Sequence, residues 1–279
     1  MTDKSLQMDS QINVKKVKEK LIKGIIYFSV FLTLWILLHV VFKGVIKIGN
    51  IDNIGDESIL PMIMNTFYIV LLAVSISTPI GIWTAIYLNE YARDNKLVHL
   101  IRFAIQSLAG VPSIIFGLFG MIVFVVGLNF KWSILSGALT LSIMILPIII
   151  KTTEEALKSV PLSIREGSLA LGASKVRTIK AVVIPSALPG IIISVILSIG
   201  RIVGETAAVY LTAGMVPRAA VSPLDSGRTL SVHLYLLAKE GISFERAYFT
   251  ATILVLFVLC INLISNRLAK KFSEKLKVN

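Results

Sequence analysis

The chain has 279 residues, of which 55% are hydrophobic and only 16% are charged, and its mean hydropathy is +0.82. A soluble globular domain carries about 25% charged residues, so this composition excludes an ordinary water-soluble fold and favours a protein of the bilayer. The net charge of +12 lies at the ends of long apolar runs, and no basic, aromatic-interleaved segment remains that would bind nucleic acid.

The apolar runs are long enough to cross a membrane six times, since a spanning helix needs roughly 20 apolar residues. Each span must satisfy its own backbone hydrogen bonds in lipid and is therefore predicted to be helical. The first run is too long for the apolar part of a signal peptide, and we expect it to be retained as an anchor. The predicted spans are residues 24–45, 63–88, 103–128, 132–150, 188–213 and 247–266.

The distribution of basic residues predicts the orientation, because Lys and Arg concentrate on the cytoplasmic side of multi-pass proteins. Of the 28 Lys and Arg residues, 20 fall in the two tails and in the second and fourth connections, and seven fall in the other connections. We therefore predict a multi-pass protein of the plasma (inner) membrane with both termini in the cytoplasm. Its predicted parts are basic tails at 1–23 and 269–279, a first anchor with an outer loop at 24–59, and the main transmembrane domain at 60–268.

The third predicted span contains two helix breakers, Gly110 and Pro112. Proline removes a helix hydrogen bond and should kink or locally open the helix at this point. Ser113 follows the proline, and a kink would expose its hydroxyl. Ser113 is therefore a candidate lining residue of a solute path, with plain helix packing as the alternative.

The cytoplasmic connection 151–187 carries helix start and stop signals. Pro161 stands where a short helix would begin, and Gly172 marks its end. The segment from Lys175 to Val183 can then begin a second short helix. A short helix on the membrane face, followed by a glycine, is suited to docking a separate cytoplasmic protein, whereas the alternative is a solvated basic loop.

Arg201 and Glu205 are the charged residues that lie deep in a predicted span, the fifth. A charge at the bilayer centre costs at least about 2.5 kcal/mol, so such residues normally face a protein interior or a water-filled path. Their spacing of four residues puts both on one helix face, which Ser194, Ser198 and Thr212 continue. This polar stripe predicts a solute path, with a structural ion pair as the alternative.

The remaining features of the chain point to packing and connection. Gly200 and Gly204 form a small-residue pair on another face of the fifth span, where we expect close helix packing. The outer connection 214–246 opens with turn formers and contains a predicted short helix from Leu230 to Lys239. The single cysteine and the three scattered histidines predict neither an intrachain disulfide nor a metal site.

The cytoplasmic connection also carries a recognisable motif. Glu166-Gly167-Ser168 is followed after three residues by Gly172, and after nine more by Val182, Ile184 and Pro185. This pattern resembles the EAA loop of ABC importer permeases, which reads E-A-A, three residues, glycine, nine residues and I-x-L-P. The departures are conservative in size and keep the spacing. In that family the loop forms coupling helices that sit in a cleft on the ATPase subunit. The resemblance implies this docking role for Glu166, Gly167, Ser168, Ala170, Gly172 and Ala173.

Three further segments, Ala109 to Gly120, Leu146 to Ala156 and Gly200 to Ala207, resemble permeases of phosphate-specific ABC importers. The similarity is closest to the A-type subunit and extends over residues 60–268. It implies an all-α, six-span permease with the type I (MetI-like) ABC importer fold. It also implies a second, C-type permease subunit, two ATPase subunits and an extracytoplasmic phosphate-binding protein as partners within the membrane lipid.

The chain lacks the G-x-x-x-x-G-K-[ST] loop that cradles nucleotide phosphates. We therefore expect a transport subunit that is not an enzyme and holds no cofactor, with ATP and Mg²⁺ bound by the partner ATPase. Arg201 suits phosphate because a guanidinium meets two oxygens at once. Glu205 could accept a hydrogen bond from the proton that phosphate keeps, or could simply hold Arg201 in place. Transport of sulfate or molybdate by the same machinery, and a secondary transporter working alone, are the alternatives.

Overall fold

A computed structural model of the protein describes residues 2–46 and 59–278, with side chains at 19–46, 59–264, 266 and 267. Over these residues the chain is helical and contains no strand, which confirms the predicted all-α class. Helices α2, α4 and α7 continue directly into π-helical turns at Tyr87–Tyr91, Met121–Gly127 and Ile179–Val183. The helices are α1 (Thr2–Ile46), α2 (Leu60–Ile86), α3 (Lys96–Ala109), α4 (Ser113–Gly120), α5 (Ile134–Lys158), α6 (Leu162–Ala170), α7 (Lys175–Thr178), α8 (Ile184–Val203), α9 (Ala207–Thr212), α10 (Leu230–Lys239) and α11 (Phe244–Val278).

Four of the predicted spans are confirmed, with shifted ends. Among the described residues, the helices long and apolar enough to cross a membrane are Glu19–Ile46, Leu60–Tyr91, Ile134–Lys158, Lys175–Val203 and Phe244–Ile264. A sixth crossing is present if the bent pair Lys96–Ala109 and Ser113–Gly127 counts as one span. The predicted short outer helix from Leu230 to Lys239 is confirmed as α10.

The third predicted span, 103–128, is wrong as a single helix. Its residues form α3 and α4, which are bent by 105° relative to each other. Gly110 ends α3, and Pro112 precedes α4 with φ −59° and ψ 140°. Because a residue before proline is disfavoured in the α-helical conformation, Val111 cannot easily continue the helix. The predicted kink at Pro112 is therefore confirmed, but it is a bend of 105° between two separate helices.

The fifth predicted span, 188–213, is wrong at both ends. The helix begins at Lys175, so Lys175–Val183 is the start of this span and not a separate short helix. It ends at Val203, where Gly204 forms the C-cap, and the short helix α9 follows at Ala207. The segment Gly204 to Thr206, here called the α8–α9 break, therefore interrupts the predicted span next to its charged residues.

The buried core is built around α5. Two thirds of its most apolar stretch, 67%, is buried inside the chain, against 39% for the span that contains α2. Hydroxyl groups in this core donate to carbonyls of their own helix one turn earlier, for example Thr140 Oγ1 to Ser136 O at 2.7 Å and Ser77 Oγ to Ala73 O at 2.7 Å. Such bonds satisfy polar groups that no water can reach. These buried hydroxyl groups are therefore satisfied within their own helices.

Close helix contacts are made by glycines that the sequence analysis did not single out. A Cβ added to Gly117 would lie 2.9 Å from Ala208 Cα, which brings α4 directly against α9. Gly120 likewise faces Thr140 with no room for a side chain. In contrast, a Cβ on Gly200 or Gly204 would meet nothing within 4 Å in the described chain. Close packing of Gly200 and Gly204 within this chain is therefore wrong, and their packing against another subunit stays a prediction.

Helix α1 stands at the periphery of the fold. None of the most apolar stretch of Glu19–Ile46 is buried. It contacts α11 near its C-terminal end, where Thr252 Oγ1 donates to Val40 O at 3.4 Å and a Cβ added to Gly44 would lie 2.8 Å from Tyr248 O. A side chain that is apolar and exposed along this length must face lipid tails or another membrane subunit.

The connection between α9 and α10 is held firmly on the bundle. Asn65 of α2 is buried, and its amide nitrogen donates to Arg218 O at 2.8 Å and Arg228 O at 3.1 Å while its oxygen accepts from Ala220 N at 2.8 Å. Hydrogen bonds from Ser222 N and Val221 N, with Arg218 nearby, lower the pKa of Asp225 below its ordinary value. The three hydrogen bonds of Asn65 thus order this connection, which contains no regular secondary structure.

Candidate solute path and coupling surface

Arg201 lies at the middle depth of the bundle. Helix α8 runs antiparallel to α5, because Gly190 closely faces Ala156 and Ser194 Oγ lies 3.3 Å from Thr153 Oγ1. Extending this register at equal helical rise places Arg201 level with about residue 146 of α5. Since α5 spans Ile134–Lys158, Arg201 stands halfway along the central helix.

The Arg201 side chain is exposed on the surface of the chain. It forms no ion pair and no hydrogen bond with any residue of the described part of the chain. A guanidinium at the centre of a bilayer is costly and normally faces a water-filled path or a partner. The guanidinium belongs to the last turn of α8, directly before the α8–α9 break.

Glu205 lies within the α8–α9 break, whereas Arg201 lies in the last turn of α8. Glu205 is 8% exposed, and its Oε1 accepts a hydrogen bond from Ala208 N at 3.4 Å, at the start of α9. Its backbone oxygen accepts from Ser231 Oγ of α10 at 2.7 Å. The expected i, i+4 arrangement is therefore wrong, and no ion pair joins these two residues in the described structure. Glu205 instead stabilises the N-terminus of α9, where a negative charge is favourable.

The other predicted path residues occupy different surroundings. Ser198 is fully buried, and its Oγ donates to Ser194 O at 2.8 Å, so it faces the interior of this chain. Ser113 is half-buried at the first position of α4, directly after the bend. Since α4 packs against α9 at Gly117, the segments that follow the two interruptions contact each other. Ser113 therefore lies on the side of the fold where α4 contacts α9. Ser198 faces the interior of the chain and is not part of its exposed surface.

The connection predicted to be cytoplasmic forms the predicted short helix, α6. Pro161 precedes it with ψ 141°, and Gly172 ends the turn that follows it with φ +84°, a left-handed conformation that favours glycine. Ser168 Oγ lies 2.9 Å from Thr178 Oγ1, which joins α6 to α7. Leu162 and Leu171 are exposed by 70% and 90%. Of the residues predicted to dock, Glu166, Gly167, Ala170 and Gly172 are exposed, and Ser168 and Ala173 are half-buried.

Sequence reasoning missed four charged residues at the end of the bundle where α6 lies. Arg165 Nη1 lies 2.6 Å from Glu90 Oε1, and Arg102 Nη1 lies 2.7 Å from Glu154 Oε1. The two carboxylates are buried, with 7% and 10% of their side chains exposed. Sequence alone offers little signal for these pairs, because their partners lie far apart along the chain. No group of His, Cys, Asp and Glu suited to a metal ion occurs among the described residues.

Comparison with known proteins identifies the family. Residues 77–278 match the family described as the binding-protein-dependent transport system inner membrane component. The chain belongs to this permease family. The permease is 36% identical over 233 residues to the probable ABC transporter permease protein YqgI of Bacillus subtilis, covering 78% of this chain and 79% of the relative.

Two further comparisons extend this result. The permease is 32% identical over 263 residues to the phosphate transport system permease protein PstA of Haemophilus influenzae, covering 89% of this chain and 93% of that one. It also superposes on a chain of a bacterial alginate ABC transporter, solved in complex with an alginate-bound periplasmic protein, with a TM-score of 0.65 over 96% of both chains at 17% identity. The predicted ABC importer permease fold is thereby confirmed, and the protein is a multi-pass membrane subunit.

Proposed function

We propose that this permease is the A-type membrane subunit of an ATP-driven importer of inorganic phosphate. The observation that carries the proposal is Arg201, an exposed guanidinium without a partner in the described chain, level with the middle of α5 and beside a break in its span. The similarity to a PstA protein over 89% of the chain supports phosphate as the solute. Composition, family and site are thus explained by one function.

Arg201 can bind phosphate because its planar fork donates to two oxygens at once. A span that ends at Val203 and resumes at Ala207 leaves backbone groups without helical partners, which is tolerated at membrane depth only where the segment is covered by protein or lines water. The α8–α9 break therefore suits a solute path. Glu205 stabilises the conformation of that break through its hydrogen bonds with Ala208 and Ser231. We therefore expect any contribution of Glu205 to phosphate selectivity to be indirect, through the position of the backbone next to Arg201.

The exposed face of α6 is the proposed docking surface for the ATPase. Its apolar side chains Leu162 and Leu171 protrude from a segment whose ends are fixed by Pro161 and Gly172. The assembly we propose contains a second, C-type permease subunit, two ATPase subunits that bind ATP and Mg²⁺, and an external phosphate-binding protein. An external partner of this kind is present in the solved alginate transporter.

Phosphate selectivity is tested by competition. Cells that depend on this permease for uptake should accumulate radiolabelled phosphate, and an excess of unlabelled phosphate should suppress the signal while equal sulfate or molybdate should not. Arg201 attracts all three anions, so selectivity must arise from hydrogen-bond geometry around it and in the external binding protein. Equal suppression by sulfate or molybdate would assign the importer to another oxyanion, and uptake that persists without an ATPase subunit would indicate a secondary transporter.

Reporter fusions test the proposed orientation. Asn279 should lie in the cytoplasm and Pro217 outside, because the basic residues concentrate on the side of the two tails. A phosphatase reporter, which is active only outside, should therefore be active at Pro217 and inactive at Asn279. The same activity at both positions would contradict the proposed topology.

A further inference from the structure

Two arginines cross-link the cytoplasmic ends of α2 and α5. Arg165 of α6 donates to Glu90 Oε1 at 2.6 Å, just after α2, and to Leu157 O at 2.6 Å, at the end of α5. Each arm of the guanidinium therefore reaches a different span. The planar fork suits this arrangement, since a lysine has one nitrogen and cannot reach two separated oxygens in the same geometry.

Arg102 of α3 contacts the same two helix ends in a similar way. Its Nη2 donates to Leu88 O at 2.9 Å, at the end of α2, and its Nη1 lies 2.7 Å from Glu154 Oε1 on α5. Both arginines thus contact the same two spans within one turn of each other. The cluster Glu90, Arg102, Glu154 and Arg165 joins four helices at this end of the bundle, and we call it the cytoplasmic clamp.

Helix α6 has few other attachments to the bundle. None of its residues is buried, so hydrophobic packing contributes little to holding it in place. Apart from its chain connections, it contacts α7 through Ser168 and Thr178 at 2.9 Å. The Arg165 side chain, with 17% exposed, is its deepest contact with α2 and α5.

We infer that Arg165 is the positioning residue through which movement of α6 reaches α2 and α5. The inference rests on the proposed docking of the ATPase on α6 and adds the next link. A displacement of α6 must either carry the ends of α2 and α5 with it or break both hydrogen bonds of Arg165 and leave Glu90 buried without its counter-charge, which is costly. Through Arg102 the same displacement reaches α3 and hence the bend before α4.

The test measures the number of phosphate ions transported per ATP hydrolysed by the assembled importer in proteoliposomes. Arg165→Gln should lower this ratio by about tenfold, in the range by which residues between coupled sites alter coupling. Arg165→Lys should give an intermediate ratio, since it keeps the charge and one of the two bonds. Both variants should still bind the ATPase subunit, because the Arg165 side chain faces the bundle and not the docking surface.

Arg177→Gln is the matched control. Arg177 lies in α7, directly after the turn that follows α6, is exposed, and donates its backbone N–H to Ser174 Oγ at 3.4 Å. It should leave the ratio unchanged. Glu90→Gln should lower the ratio in the same direction as Arg165→Gln, and the double variant should be no worse than the poorer single variant, as expected for two members of one interaction.

The outcomes separate transmission from docking and from folding. A purely structural role of Arg165 would lower complex abundance and both activities together while leaving the ratio of phosphate to ATP at the wild-type value, and that result would overturn the inference. An equal fall of the ratio in Arg177→Gln would also overturn the inference, because the effect would then depend on positive charge near α6 and not on the contacts of Arg165. Failure of the wild-type chain to bind an ATPase subunit would instead overturn the proposed docking of α6.

Discussion

Arg201→Gln is expected to lower phosphate uptake by about a hundredfold while the permease remains in the membrane at normal abundance. Hydrogen bonds to charged groups contribute up to about 3 kcal/mol, and about 1.4 kcal/mol corresponds to a factor of ten. Arg201→Lys should be less severe, at about tenfold, because the charge remains but the bidentate geometry is lost. The measurement is uptake of radiolabelled phosphate, normalised to the amount of permease in the membrane.

Three comparisons make this result specific. Arg218→Gln removes an exposed arginine of the connection between α9 and α10 and should leave uptake near normal. Because Arg201 and Glu205 form no ion pair in the described structure, Glu205→Gln should not strand a buried cation, and the double variant should not recover uptake. Near-normal uptake by the double variant would show that Arg201 does not meet the solute.

Gly172→Pro should abolish transport and prevent the ATPase subunit from binding. Gly172 has φ +84°, whereas proline is confined to about −65°, so the turn after α6 must change its course. Gly172→Ala should be milder, since a non-glycine residue in the left-handed region costs about 1 kcal/mol. Co-purification of the ATPase subunit with the permease, together with phosphate-stimulated ATP hydrolysis, measures the effect.

Gly241→Ala is the control for Gly172→Ala. Gly241 also has a positive φ, +63°, and a Cβ added there meets nothing within 4 Å, but it lies between α10 and α11, outside the proposed docking surface. Alanine at this position should therefore leave ATPase binding and transport unchanged. Membrane abundance of the Gly172 variants should stay normal, because the altered turn touches no span. Normal phosphate-stimulated ATP hydrolysis in Gly172→Pro would show that the turn after α6 is not part of the coupling surface.

The fold could be predicted from sequence wherever an apolar run and a helix have the same limits. The predicted span 63–88 is an example, because it differs by three residues at each end from the helix Leu60–Tyr91. The errors arose at Pro112 and Gly204, where the chain stays apolar but the helix stops. Transfer of apolar side chains into lipid depends on their area and not on helix continuity, so hydropathy cannot locate such breaks.

The candidate site was predictable in composition but not in geometry. Arg201 stands out because a charge in an apolar run is expensive, and that argument needs no structure. Its separation from Glu205 depends on the helix ending at Val203, which spacing alone cannot reveal. The pair of Glu90 and Arg165, 75 residues apart, could not be found because long-range contacts leave no periodic pattern in a single sequence.

The peripheral position of α1 bears on how this chain can change over evolutionary time. A helix with none of its most apolar stretch buried exchanges one apolar side chain for another with little cost, since lipid fits any shape. That freedom ends at Gly44, where Tyr248 and Thr252 leave no space for a side chain. The first span can thus drift in sequence to suit a new membrane or a new neighbouring subunit, while its C-terminal end, from His39 to Gly44, keeps it in register with α11.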